Sequence, residues 1–134
     1  MIRILTNRRE ASALKRSVRI AGWVVVWLTA LFFLQNGIQK LIGVEQMVEL
    51  FRELGYPDGF RIAVGLLEAA GGIVLAIPRF TLYAAMLLGV LMAGAVASEA
   101  INGRIFEALI PAQWLIVFVL IIYVRIRSGK KQRK

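Results

Sequence analysis

The sequence contains no cysteine and no histidine. Without cysteine there are no disulfides, no thiol redox chemistry and no thiolate metal sites. Without histidine, a common zinc ligand and the usual axial ligand of haem are also gone. No metal site is expected, and no cofactor is visibly encoded. Any redox role must run through a bound organic cofactor or a partner. Nucleotide-binding loops, metal-ligand spacings and nucleophile–base pairs are missing too. Gly71-Gly72 is no dinucleotide fingerprint, because it sits inside an apolar helical run. Acidic charge is scarce, with 8 Asp+Glu against 17 Lys+Arg and a formal net charge of +9.

Apolar residues are abundant. They make up 59% of the 134 residues, and the mean hydropathy is +0.71. A soluble domain of this size could not hide that much apolar surface, so lipid is its natural solvent. The length allows one domain. The basic excess sits at the two ends: Arg3, Arg8, Arg9, Lys15, Arg16 and Arg19 at one, Arg125, Arg127, Lys130, Lys131, Arg133 and Lys134 at the other. Basic flanks on apolar spans mark cytoplasmic membrane ends and attract anionic headgroups. No groove-reading element accompanies the charge, so nucleic acid is not expected as a partner.

Spanning the hydrocarbon takes about 20 helical residues. Four segments qualify, at about 18–42, 60–77, 81–101 and 109–126. Gly55 to Gly59, Pro78-Arg79, Asn102-Gly103-Arg104 and Pro111 mark the breaks, with Pro111 read as a helix start. The apolar runs are continuous rather than alternating, which favours helices over barrel strands. The first reads as a retained span, because polar Gln35, Asn36, Gln39 and Lys40 stand where a cleavage site would lie. The expected fold is an all-α, polytopic four-helix membrane bundle. Lys and Arg in the loops place both termini in the cytoplasm of a bacterial-type inner membrane. Trp23, Tyr83 and Tyr123 then fall near inner ends, and Tyr56, Phe60, Phe106 and Trp114 near outer ends. At about 44–54, Val44, Met47, Val48, Phe51 and Leu54 recur at helical spacing opposite Glu45, Glu49, Arg52 and Glu53. This predicts a short amphipathic helix on the outer interface, either a cap or a lid.

Small residues recur every four positions: Gly65 and Ala69, Gly72 and Ala76, and Gly89, Ala93 and Ala97. That spacing lets helix backbones approach closely in lipid. It predicts packing within one chain at Gly65, Gly72, Gly89 and Ala93.

Lys40, Glu68 and Glu99 fall inside apolar spans. A charge at mid-bilayer costs ~2.5–3.5 kcal/mol on insertion scales, so such groups face the bundle interior and find partners. All three map to the outer half. Asn36 lies one turn from Lys40, Gln39 is on the adjacent stripe, Ser98 and Asn102 flank Glu99, and Gln113 lies near the start of the fourth span. The expectation is an outward-opening polar pocket with Lys40–Glu68 as its ion pair. The pair can be a ligand or proton site, or a device that sets helix register.

Three stretches carry a family resemblance: Asn36-Gly37-Ile38-Gln39-Lys40-Leu41, Phe51-Arg52-Glu53-Leu54-Gly55-Tyr56-Pro57, and Gly65-Leu66-Leu67-Glu68-Ala69-Ala70-Gly71-Gly72. Over about 31–97 the chain resembles the DoxX family of small four-helix membrane proteins. The resemblance implies that Lys40 and Glu68 are a characteristic pair. It also implies a link to quinone-dependent oxidoreductases and redox stress, with quinone as the ligand to test. Distant relatives act as membrane chaperones. A basic N-terminus and a proline at the hairpin depart from the pattern. Three readings follow: a membrane subunit of a quinone-linked redox system, a non-catalytic assembly or accessory subunit bound to other membrane proteins, and a small proton-coupled exporter.

Overall fold

The computed structural model describes residues 2–133, with side chains over 7–127. Five helices make up the described residues: α1 (Ile2–Ile42), α2 (Glu45–Glu53), α3 (Asp58–Leu75), α4 (Thr81–Ile101) and α5 (Ile105–Arg133). Three stretches are long and apolar enough to cross a membrane: Asn7–Ile42, Thr81–Ile101 and Ile105–Arg127. The remaining long helix, α3, has 18 residues and carries Asp58, Arg61 and Glu68. Those charges set it apart from the three apolar stretches and make it the polar spine of the fold.

Helix α1 packs on α3, α3 on α4, and α4 on α5. An aromatic bridge closes the ring between α5 and α1. Trp114 stacks on Phe32 with centroids 4.6 Å apart and meets Phe33 edge-on, while Phe118 lies 5.1 Å from Phe33. Phe33 and Phe118 are fully buried, with Leu75, Ala85 and Leu88 around them. The surface is the reverse of a soluble protein's. Leu28, Val90 and Leu120 are more than half exposed, while Lys40, Arg61, Glu68 and Glu99 are buried. Apolar outside and charged inside is the arrangement that lipid selects.

Boundaries differ from the sequence expectation where no breaker acts. Helix α1 runs 41 residues, about 60 Å at 1.5 Å per residue. Nothing stops it before Val18, since glycine and proline are absent from that stretch. Residues 7–22 are exposed, and packing begins at Trp23. Pro111 does not start α5. The helix begins at Ile105, and Pro111 lies inside it, where its missing N–H leaves the Glu107 carbonyl without that intrahelical bond. The amphipathic helix is α2, which buries Phe51 against Tyr56 and Phe60.

The small-residue prediction divides. Cβ atoms added at Gly65 and Gly72 would lie within 3 Å of α1 backbone atoms, so α1 and α3 touch there. At Gly89 the nearest atom would be Phe118 Cβ at 3.6 Å, an ordinary contact, and Ala93 and Ala97 are exposed. Successive i+4 steps drift by about 40° around a helix of 3.6 residues per turn. The stripe therefore leaves the buried face of α4, which runs through Ala84, Ala85, Leu88, Gly89 and Met92.

Candidate functional site

The buried charges gather at one end of the bundle, formed by the C-termini of α1 and α4 and the N-termini of α3 and α5. Lys40 lies in the last turn of α1. Its Nζ donates to Glu68 Oε2 at 2.7 Å, with the two side chains 9% and 2% exposed. Gly65 makes this contact possible. A Cβ there would sit 2.7 Å from Lys40 Cβ and 2.9 Å from the Gly37 carbonyl oxygen. Without one, the lysine stem lies across α3 and reaches the carboxylate one turn further on. Arg61, Gly65, Glu68 and Gly72 are all buried on α3. Their spacing of four, three and four places them on one face.

Arg61 was not singled out in the sequence, where it reads as a loop charge. It is buried, and its Nη1 donates to the Lys40 backbone carbonyl. Helix α1 ends there through Gly43, whose φ of 76° lets the Val44 N–H reach the Gln39 carbonyl at 3.1 Å. A left-handed glycine with this backbone bond is a standard helix stop, and a cation at a helix C-terminus also meets the negative end of the dipole. Arg61 Nε is buried without a hydrogen-bond partner.

A second cluster forms the rim. Arg104 Nε donates to Glu99 Oε2 and its Nη1 to Glu53 Oε2, each at 2.6 Å. One guanidinium thus ties α2 to the C-terminus of α4. The bond to Glu99 raises the Arg104 pKa above its ordinary value. Tyr56 OH and Ser98 Oγ are 2.6 Å apart and add a second tie between the α2–α3 turn and α4. An open cleft of about 310 Å³ lies beside Arg104, lined by Gln46, Met47, Glu49, Leu50 and Glu53.

The expected outward pocket is therefore resolved into two parts. Lys40 and Glu68 meet as foreseen, in a closed contact, while the described cleft lies at the rim. Glu99 joins Arg104 instead of the pair, because it stands near the end of α4 and the chain turns back at Gly103. Asn36 and Gln39 are half-buried on α1, and Gln113 is exposed on α5. Asn102 donates to the Ser98 carbonyl of its own helix at 2.7 Å. Trp114 packs against Phe32. Of the residues missed, Arg61 had a sequence signal, its seven-residue spacing from Glu68. Arg104 had none beyond its sign, since both its partners depend on how the loops fold.

The fold and site together define a small α-helical membrane protein built around a buried lysine–glutamate pair. A model of the DoxX-like family matches residues 24–122. The chain belongs to that family, and the match extends beyond the stretch that carries the motifs. It is also similar to the uncharacterized protein YdgD of Bacillus subtilis (strain 168). The two are 35% identical over 99 residues, covering 69% of this chain and 87% of the relative. No solved structure matches significantly.

Proposed function

We propose that the chain is a membrane subunit of a quinone-linked redox system, with Lys40 and Glu68 at the headgroup site. The observation that carries this reading is the buried 2.7 Å pair at the charged end of a DoxX-like bundle. The donor chemistry fits. An ammonium offers three N–H donors, and Glu68 takes one. A quinone carbonyl oxygen accepts a hydrogen bond, so Lys40 can donate to it while Glu68 holds the ammonium in place. A bound quinone would supply the two-electron chemistry that a chain without cysteine or histidine cannot provide. The protein would then work beside a partner that delivers or removes electrons. The test is quinone retention by the full chain purified in mild detergent from quinone-containing membranes. Wild type is expected to retain quinone, and Lys40→Ala and Glu68→Ala to lose it. Equal retention by all three would defeat the reading.

The proposed topology has four spans in a bacterial-type plasma membrane, both termini cytoplasmic, and α2 on the outer interface. Pro78-Arg79 then joins two antiparallel spans on the inside, where Arg125 Nη2 donates to the Pro78 carbonyl at 2.8 Å. The absence of native cysteine makes labelling clean. In intact cells, Gln46→Cys is expected to react with an impermeant maleimide and Ser12→Cys to stay protected. The opposite pattern, or labelling of both, would require another topology.

A second reading, an accessory subunit docked on a larger membrane protein, is favoured by one feature. Ala93, Gly94 and Ala97 form an exposed small-residue strip on α4, and a Cβ at Gly94 would meet nothing within 4 Å. Isolation only as a lone monomer from native membranes would count against it.

A further inference from the structure

The buried charges at the α1–α3 corner do not balance. Lys40, Arg61 and Glu68 are all more than nine-tenths buried. The carboxylate of Glu68 is taken by Lys40. That leaves the Arg61 guanidinium without a closely hydrogen-bonded carboxylate among the described residues. One of its nitrogens donates to the Lys40 carbonyl, a neutral acceptor. Its Nε–H has no acceptor, and the nearest carboxylate oxygen, Asp58 Oδ1, stands 4.0 Å away. That distance is too long for a hydrogen bond. The Asp58 side chain is 65% exposed, so water weakens what compensation it offers.

A lone buried cation in a membrane protein is costly, and such groups find a counter-ion. Arg61 is the fourth residue of α3, roughly 5 Å along the axis from its start. It also lies against the last turn of α1. In the proposed topology, both helix ends lie near the level where a bilayer presents its phosphates. A guanidinium prefers planar oxyanions and binds phosphate through two parallel N–H bonds. The left-handed Gly43 presents no side chain toward the guanidinium; a Cβ there would lie 3.5 Å from Nη1.

We propose that Arg61 is a phosphate-binding residue, taking the phosphate of a phospholipid headgroup or free phosphate at the corner between α1 and α3. Asp58 is the competing internal anion. It swings toward solvent when phosphate enters and moves back toward Nε when phosphate leaves. This site is about 10 Å along α3 from Glu68, at seven residues' separation, and it does not depend on the quinone reading.

The test is native mass spectrometry of the full chain in mild detergent, titrated with phosphatidylglycerol, with phosphatidylcholine and with inorganic phosphate. Wild type is expected to bind one phospholipid tightly. Arg61→Gln should weaken that binding at least tenfold. Because this change also removes the bond to the Lys40 carbonyl, a second variant leaves Arg61 intact. Asp58→Asn removes the competing carboxylate and should tighten binding several-fold. Displacement of the lipid by millimolar inorganic phosphate would support the site and show that free phosphate also occupies it. Resistance to phosphate would support it with lipid as the ligand. Unchanged or weaker binding in Asp58→Asn would overturn the proposal. So would wild-type binding in a folded Arg61→Gln protein.

Discussion

Replacing Gly65 by alanine is expected to destabilise the bundle by about 1–3 kcal/mol, the usual range for overpacking a tight contact. The cause is local. The new Cβ would lie 2.7 Å from Lys40 Cβ, 2.9 Å from the Gly37 carbonyl oxygen and 3.2 Å from the Leu41 nitrogen. Two of these are helix backbone atoms and cannot swing aside as a side chain can. Gly72→Ala should behave alike, with the Ala30 carbonyl oxygen at 2.7 Å and the Leu34 nitrogen at 2.8 Å. Gly71→Ala is a milder case, because its closest neighbour is the movable end of Leu88 at 2.9 Å. Gly94→Ala meets nothing and should be neutral or slightly stabilising, since alanine is the better helix former. Thermal or denaturant unfolding in micelles would read the series. Its order, with Gly65 and Gly72 worst, then Gly71, then Gly94, is the claim at risk. A Gly65→Ala protein as stable as Gly94→Ala would show that α1 and α3 do not cross at the distance described.

This series also shows what was legible in the sequence. Spacing alone identified Gly65 and Gly72 as close-packing positions, and both are. Spacing alone also nominated Gly89, which is buried against Phe118 at ordinary contact distance, and Ala93, which is exposed. A four-residue repeat names a strip on a helix without naming the neighbour, and on α4 the strip turns away from the bundle. The helices themselves were readable because apolar runs and breakers are local signals. The starts of α1 and α5 were not. Continuing a helix beyond the membrane needs only the absence of a stop, and a hydropathy profile does not register that.

The charged end divides in the same way. Lys40 and Glu68 stood out because a charge inside an apolar run is conspicuous, and burial then demands a partner of opposite sign. Arg61 did not stand out, since it follows the Gly-Tyr-Pro-Asp-Gly turn and passes for a loop residue. Its role depends on the end of α1 folding back onto α3. That is a tertiary fact carried by Gly43 and by the Lys40 carbonyl. Glu99 is conspicuous for the same reason, but the sequence names no partner for it. Arg104, which holds it, reaches back five residues from a turn whose path depends on Gly103.

The Lys40–Glu68 pair should show the second large effect, and the form of that effect separates structure from chemistry. Lys40→Met leaves a carboxylate without its cation, and Glu68→Leu leaves an ammonium without its anion, each in a site less than a tenth exposed. Breaking a buried pair from one side costs about 3–5 kcal/mol, because the remaining charge loses its compensation. Each single variant is therefore expected to unfold well below wild type, or to be lost from the membrane. The double variant Lys40→Met/Glu68→Leu removes both charges and keeps similar volume. It should recover most of the lost stability, so the two changes should be far from additive. Additive losses in this cycle would mean that the two side chains do not act as a pair. A double variant that folds also decides what the pair is for. If it only sets the register of α1 against α3, the restored protein should retain quinone as wild type does and support the same redox-stress tolerance in cells. If Lys40 donates to a ligand, stability should return and quinone retention should not. The second result is the one expected here, because apolar packing can replace the pair's contribution to register but supplies no N–H for a headgroup oxygen.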